Sequence, residues 1–101
     1  MRDPTDTQAQ DAQANLERER ADARREQQKE DIKWLMAHAA GRRFVSRLLE
    51  EAGAFRTSFH TSGSTMAFNE GRKHIGYFLT GELLEIVPDA YIKLLKEFRD
   101  E

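Results

Sequence analysis

The chain has 101 residues, a formal net charge of −2 and no cysteine. That length holds one domain at most. The missing cysteines exclude a disulfide framework and thiolate metal sites, as suits a reducing cytoplasm, and the charge argues against a nucleic-acid binder held by bulk electrostatics. No apolar run approaches the roughly 18 residues needed to span a bilayer. The N-terminal Met1-Arg2-Asp3-Pro4-Thr5-Asp6 lacks the apolar stretch of a signal peptide. A soluble, non-exported protein is expected.

Apolar residues divide the chain near position 31. Before Ile32 the only large ones are Met1 and Leu16; every Phe, Tyr, Trp, Ile and Val comes later. Burial of apolar surface drives folding at about 25 cal/mol per Å2, so residues 1–31 cannot pack into a domain alone. Residues 32–101 can, although a core of that size is marginal. The charges of the two parts differ little: six basic against nine acidic residues in the first, ten against nine in the second.

The first part is rich in Gln, Ala, Glu, Arg, Asp and Lys, with no Gly or Pro from Thr7 to Asp31. Most of these are good helix formers. Pro4 lies just upstream, and Thr5 or Asp6 suits a cap. Opposite charges recur at helical spacing, as in Glu17–Arg20 and Asp22–Arg25, each pair contributing only about 0.2–0.5 kcal/mol. No heptad of large residues supports a self-sufficient coiled coil. Two readings stay open: a solvated, disordered arm, or a helix that docks on a partner or a neighbouring copy.

In the second part, Ile32, Leu35, Met36 and Ala39 fall at i, i+3, i+4 and i+7 and predict a helix over 31–39. Trp34 lies off that stripe. Gly41 is read as its end or a bend. A second helix is expected over 42–52, with Phe44, Leu48 and Leu49 as its apolar face, Val45 and Ala52 beside it, and Arg42, Arg43 and Arg47 on the polar side. Gly53 stops it. Residues 54–64 read as a connector, with Phe55 and Phe59 tucked into the core and an N-cap at its end. A third helix is expected over 65–86 on the spacing of Phe68, Ile75, Leu79, Leu83 and Ile86. Gly71 and Gly76 inside it suggest close approach of another backbone. Pro88 suits the first turn of a fourth helix, with Tyr91, Leu94, Leu95 and Phe98 on its apolar face. No segment alternates as a strand does. The fold class is therefore all-α: a compact bundle of three to four short helices preceded by a long polar N-terminal helix or arm.

Chemistry is sparse. Glu70 and His74 stand i, i+4, but His38 and His60 add no third ligand at a telling spacing. Ser58, His60 and Ser62 cluster in a polar loop without a nucleophile elbow. Glu70-Gly71-Arg72-Lys73 lacks the strand and glycine spacing of a phosphate loop. No enzyme activity, metal or cofactor is expected. The basic residues Arg42, Arg43, Arg47, Arg72 and Lys73 form one candidate patch if the second and third helices pack together. The alternative is ordinary solvated helix faces paired with Glu50, Glu51 and Glu70.

Phe68-Asn69-Glu70-Gly71-Arg72-Lys73-His74-Ile75-Gly76 is more specific. With Gly41-Arg42-Arg43-Phe44, Leu48-Leu49-Glu50 and Gly53-Ala54-Phe55 upstream, it resembles a family of small tailed-bacteriophage proteins grouped around a Bordetella phage protein from the structural gene module. The resemblance covers about residues 31–98, with Lys73 where that family's pattern suggests Arg. It maps family-motif positions onto Arg43, Phe44, Phe55, Phe68, Glu70, Gly71, Arg72 and Gly76. It implies a phage protein encoded among capsid, portal and tail genes. The partners expected are other phage structural proteins, with copies of itself a further candidate and nucleic acid not favoured. A structural role for the motif is preferred, with Glu70 paired to Arg43 or Arg72 and Gly71 and Gly76 allowing helices to approach. The leading expectation is a non-enzymatic virion or assembly protein, in the virion and, during assembly, in the host cytoplasm. The alternative is a small regulatory binder of DNA or a host enzyme.

Overall fold

The computed structural model describes residues 4–55, 57 and 62–98, with side chains from Asp6 onward. Four helices form: α1 (Pro4–Ala37), α2 (Ala39–Glu51), α3 (Gly63–Ile86) and α4 (Pro88–Phe98). No strand occurs among the described residues, and the fold is all-α. The chain divides into two units, Met1–Asp31 and Ile32–Glu101.

The first unit is the greater part of α1. The segment is helical. Its described side chains are exposed apart from Arg25 and Lys29, which are half-buried. Local pairs one turn apart decorate it. The Gln13 side-chain amide donates to Glu17 at 3.2 Å and that of Gln27 to Asp31 at 2.9 Å. Lys29 pairs with Glu26 at 3.5 Å. Such pairs support a helix by a few tenths of a kcal/mol each. No described residue of this unit belongs to the hydrophobic core.

The second unit is a helical cluster in which α2, α3 and α4 each pack against the other two. Met36 from the end of α1, Val45 and Leu49 from α2, Leu83 from α3, and Tyr91 and Leu94 from α4 form its buried centre. Ile32, Leu35, Phe55, Leu79, Leu95 and Phe98 pack around them. Fully burying one such side chain contributes about 1.5–3 kcal/mol. The fourth helix buries the face expected of it. The second and third do so only in part, because Phe44, Leu48, Phe68 and Ile75 are exposed. Their apolar stripes are wider than the neighbouring helices can cover.

Helix ends follow local chemistry. Gly53 has φ 69°, the left-handed region that glycine enters without penalty. Its N–H donates to the Glu50 carbonyl, and that of Ala54 to the Leu49 carbonyl. These two bonds make a Schellman motif that closes α2. The Ser62 hydroxyl accepts from the Thr65 N–H at 3.4 Å and caps α3. Pro88 is the first residue of α4, where its missing N–H costs nothing.

The junction of α1 and α2 departs from expectation. The chain breaks at His38, in extended conformation with φ −107° and ψ 138°, rather than at Gly41. Gly41 lies within α2 and is buried. A Cβ there would overlap the Leu35 carbonyl oxygen and come within 2.8 Å of the Leu35 carbonyl carbon. The glycine is thus needed for backbone approach between successive helices. Phe55 packs against the core as expected; Phe59 lies outside the described residues.

Candidate functional site

The five basic residues of the candidate patch do not share one environment. Arg43, Arg47 and Arg72 are exposed and Lys73 is half-buried. Arg42 is only 6 % exposed, which corrects its placement on the solvated side of α2. Its Nε donates to both carboxylate oxygens of Glu97, at 3.2 and 3.3 Å. One terminal nitrogen forms an ion pair with Glu97 at 3.1 Å, and the other donates to the Met36 carbonyl at 2.8 Å. Met36 lies in the last turn of α1, where carbonyls have no helical partner. Arg42 therefore ties α1, α2 and α4 together. His38 serves the same turn. Its Nδ1 lies 2.7 Å from the Trp34 carbonyl, which only accepts, so that nitrogen carries the proton.

Arg72 clamps α3 to the end of α2. One terminal nitrogen donates to the Glu51 backbone carbonyl at 3.0 Å and the other to Asn69 Oδ1 at 3.1 Å. Its guanidinium also lies 5.2 Å from the centre of the Phe68 ring, a cation–π distance. Lys73 stands 5.8 Å from the centre of the Tyr77 ring. The expected pairing of Glu70 with Arg43 or Arg72 does not form; Glu70 is exposed and Arg72 is turned toward α2. The two glycines of the motif also separate. Gly76 is buried, and a Cβ there would meet Ala54 Cβ at 2.9 Å and Ala52 Cβ at 3.3 Å. Gly71 has no such neighbour within 4 Å and faces open space, so close packing within the chain does not account for it.

An apolar surface remains. Trp34, 68 % exposed, stacks obliquely on His38 with ring centres 4.8 Å apart. With Leu35, Ala40, Gly41 and Phe44 these rings line a shallow cleft of about 380 Å3. One helical turn beyond Phe44 is Leu48. It lines a second hollow of about 250 Å3 with Glu51, Ala52, Arg72 and Ile75. Apolar side chains thus follow α2 from the end of α1 to the side of α3. Two sequence signals mark this surface. Trp34 stands off the α1 stripe, and α2 carries two adjacent stripes, 44/48 and 45/49/52, of which the core takes the second. Among the described residues, no group of three His, Asp or Glu is placed to hold a metal ion. Ser58 and His60 lie outside the described residues.

The motif residues, whether buried braces or exposed apolar positions, lie within a segment shared with other proteins. Residues 32–96 match the family described as Bbp19-like phage protein. The chain belongs to that family. The match spans the α1 end, α2, α3 and nearly all of α4, and leaves out residues 1–31. It makes this a phage protein. Searches of curated proteins and of solved structures gave no match. Among the described residues, no helix is long and apolar enough to cross a membrane.

Proposed function

We propose that this Bbp19-like phage protein is a non-enzymatic component of the virion or of its assembly, acting by contacts with other phage structural proteins. The observation that carries this reading is the number of large apolar side chains left exposed on a small family-matched unit: Trp34, Phe44, Phe68, Ile75 and Phe78 among them. Contiguous exposed apolar surface on a soluble domain marks an interaction site. The helical segment 4–31 offers the opposite chemistry, a polar and charged surface with almost nothing to bury. An assembly protein uses the first kind of surface for adhesion and the second for solvated or electrostatic contact. The regulatory DNA-binding alternative loses support with Arg42, the patch member sequestered by Glu97.

Mass spectrometry of purified virions and of their assembly intermediates tests the proposal. The protein should be present in particles or in an isolable precursor at defined stoichiometry. Its absence from both would overturn the assignment.

A further inference from the structure

α3 exposes a regular stripe. Ser64, Phe68, Gly71, Ile75 and Phe78, all exposed, and the half-buried Glu82 succeed one another at alternating steps of four and three residues, the spacing that keeps side chains on one helix face. Phe68, Ile75 and Phe78 are 64, 60 and 64 % exposed. Gly71, between them, opens onto free space. Gly71 leaves a gap in the stripe between Phe68 and Ile75 that a side chain from outside can fill.

The stripe reads the same in both directions about the level of position 73. An antiparallel copy of α3 laid across it sets Phe68 against Phe78, Gly71 against Ile75 and Ser64 against Glu82. Each pairing is complementary. Two aromatic rings meet, a β-branched side chain fills the space above a glycine, and a carboxylate approaches the first turn of a helix, where negative charge is favoured. Every contact then occurs twice, as an isologous two-fold interface requires. A parallel copy would set Gly71 against Gly71 and leave a void. We propose that the protein self-associates as a two-fold antiparallel dimer through α3, with Ile75 of each copy seated over Gly71 of the other and Phe68 against Phe78. This holds independently of whether the protein enters particles.

The available area sets the strength. At about 150–250 Å2 for a whole aromatic side chain, the three exposed residues supply roughly 350 Å2 of apolar surface per copy. Leu48, beside Ile75, widens the patch. The total falls short of the about 1,200 Å2 of a standard stable interface, so the dimer is weak and concentration-dependent.

Sedimentation equilibrium of the full chain, from low micromolar to near-millimolar concentration, should show a monomer–dimer equilibrium. Gly71→Gln and Ile75→Lys should each weaken it by at least about tenfold, with helicity by circular dichroism retained. Gly71→Gln is favourable for the helix itself, so its effect cannot come from unfolding. A monomer at every concentration, or a dimer indifferent to both variants, would overturn the proposal. Orientation is tested by disulfide trapping in this cysteine-free chain. Phe68→Cys copies mixed with Phe78→Cys copies should cross-link, and neither should cross-link alone. In the antiparallel pair, identical positions sit about 15 Å apart along the axis, beyond the roughly 7 Å Cα limit for a disulfide. Cross-linking of either variant with itself would refute the antiparallel arrangement.

Discussion

Replacing Arg42 by Met removes the charge while keeping an unbranched apolar stem. The side chain of Arg42 is 8 % exposed and that of Glu97 is 28 % exposed. Removing one partner of a fully buried ion pair costs about 3–5 kcal/mol. Here the orphaned Glu97 can recover part of its hydration, which lowers that figure. The Met36 carbonyl also loses its 2.8 Å donor, at about 1–3 kcal/mol if it stays buried. We expect a net loss of about 2–4 kcal/mol. A unit of some 70 residues has only roughly 3–10 kcal/mol in total. The corresponding fall in melting temperature is about 8–32 °C, at about 4–8 °C per kcal/mol for small domains. Glu97→Gln retains an acceptor but leaves the buried Arg42 charge without its counter-charge, and should cost about 1.5–3 kcal/mol. Urea unfolding followed by far-ultraviolet circular dichroism reads both, with the denaturant slope unchanged. A change below about 0.5 kcal/mol for Arg42→Met, as expected of a solvated surface residue, would refute its role as the brace of three helices.

The glycines give a second prediction. Gly41→Ala should destabilise by at least about 2 kcal/mol despite the better helix propensity of alanine, because its Cβ collides with the Leu35 carbonyl. Gly81→Ala, with open space around it, should stabilise by about 0.5–1 kcal/mol. Thermal melts of the two variants should therefore move in opposite directions. Deletion of residues 1–31 should leave a cooperative transition within about 0.5 kcal/mol of the full chain, since that segment contributes nothing to the core. Loss of cooperative unfolding in the truncated chain would show that the segment stabilises the second unit.

Much of the fold was legible because its signals are local. Gly53 marked the end of α2, and Pro88 the start of α4. Ser62 caps α3 within the stretch where a cap was expected. Each acts through its own φ or its own missing or available hydrogen bond, which sequence displays directly. The candidate site was less legible. Arg42 and Arg43 are adjacent arginines; helical spacing puts 42 in line with 45 and 49, but only the docking of α4 beside α2 brings Glu97 to it and leaves Arg43 in water. Gly41 and Gly53 both resembled helix stops, but Gly41 is set by the approach of the Leu35 carbonyl, a contact that requires the chain to turn first at His38.

The sequence by itself determined an all-helical chain, a polar N-terminal segment without burial potential and a family-matched second part. Those properties follow from residue type, spacing and the apolar content of each segment. Only the tertiary structure decided which stripe of each amphipathic helix is covered. Val45 and Leu49 are buried while Phe44 and Leu48 are not, and Leu83 is buried while Phe68 and Ile75 remain exposed. Periodicity defines a face, but burial depends on how many helices are present to cover it. A small helical cluster has too few, so one apolar face of α2 and one of α3 stay exposed.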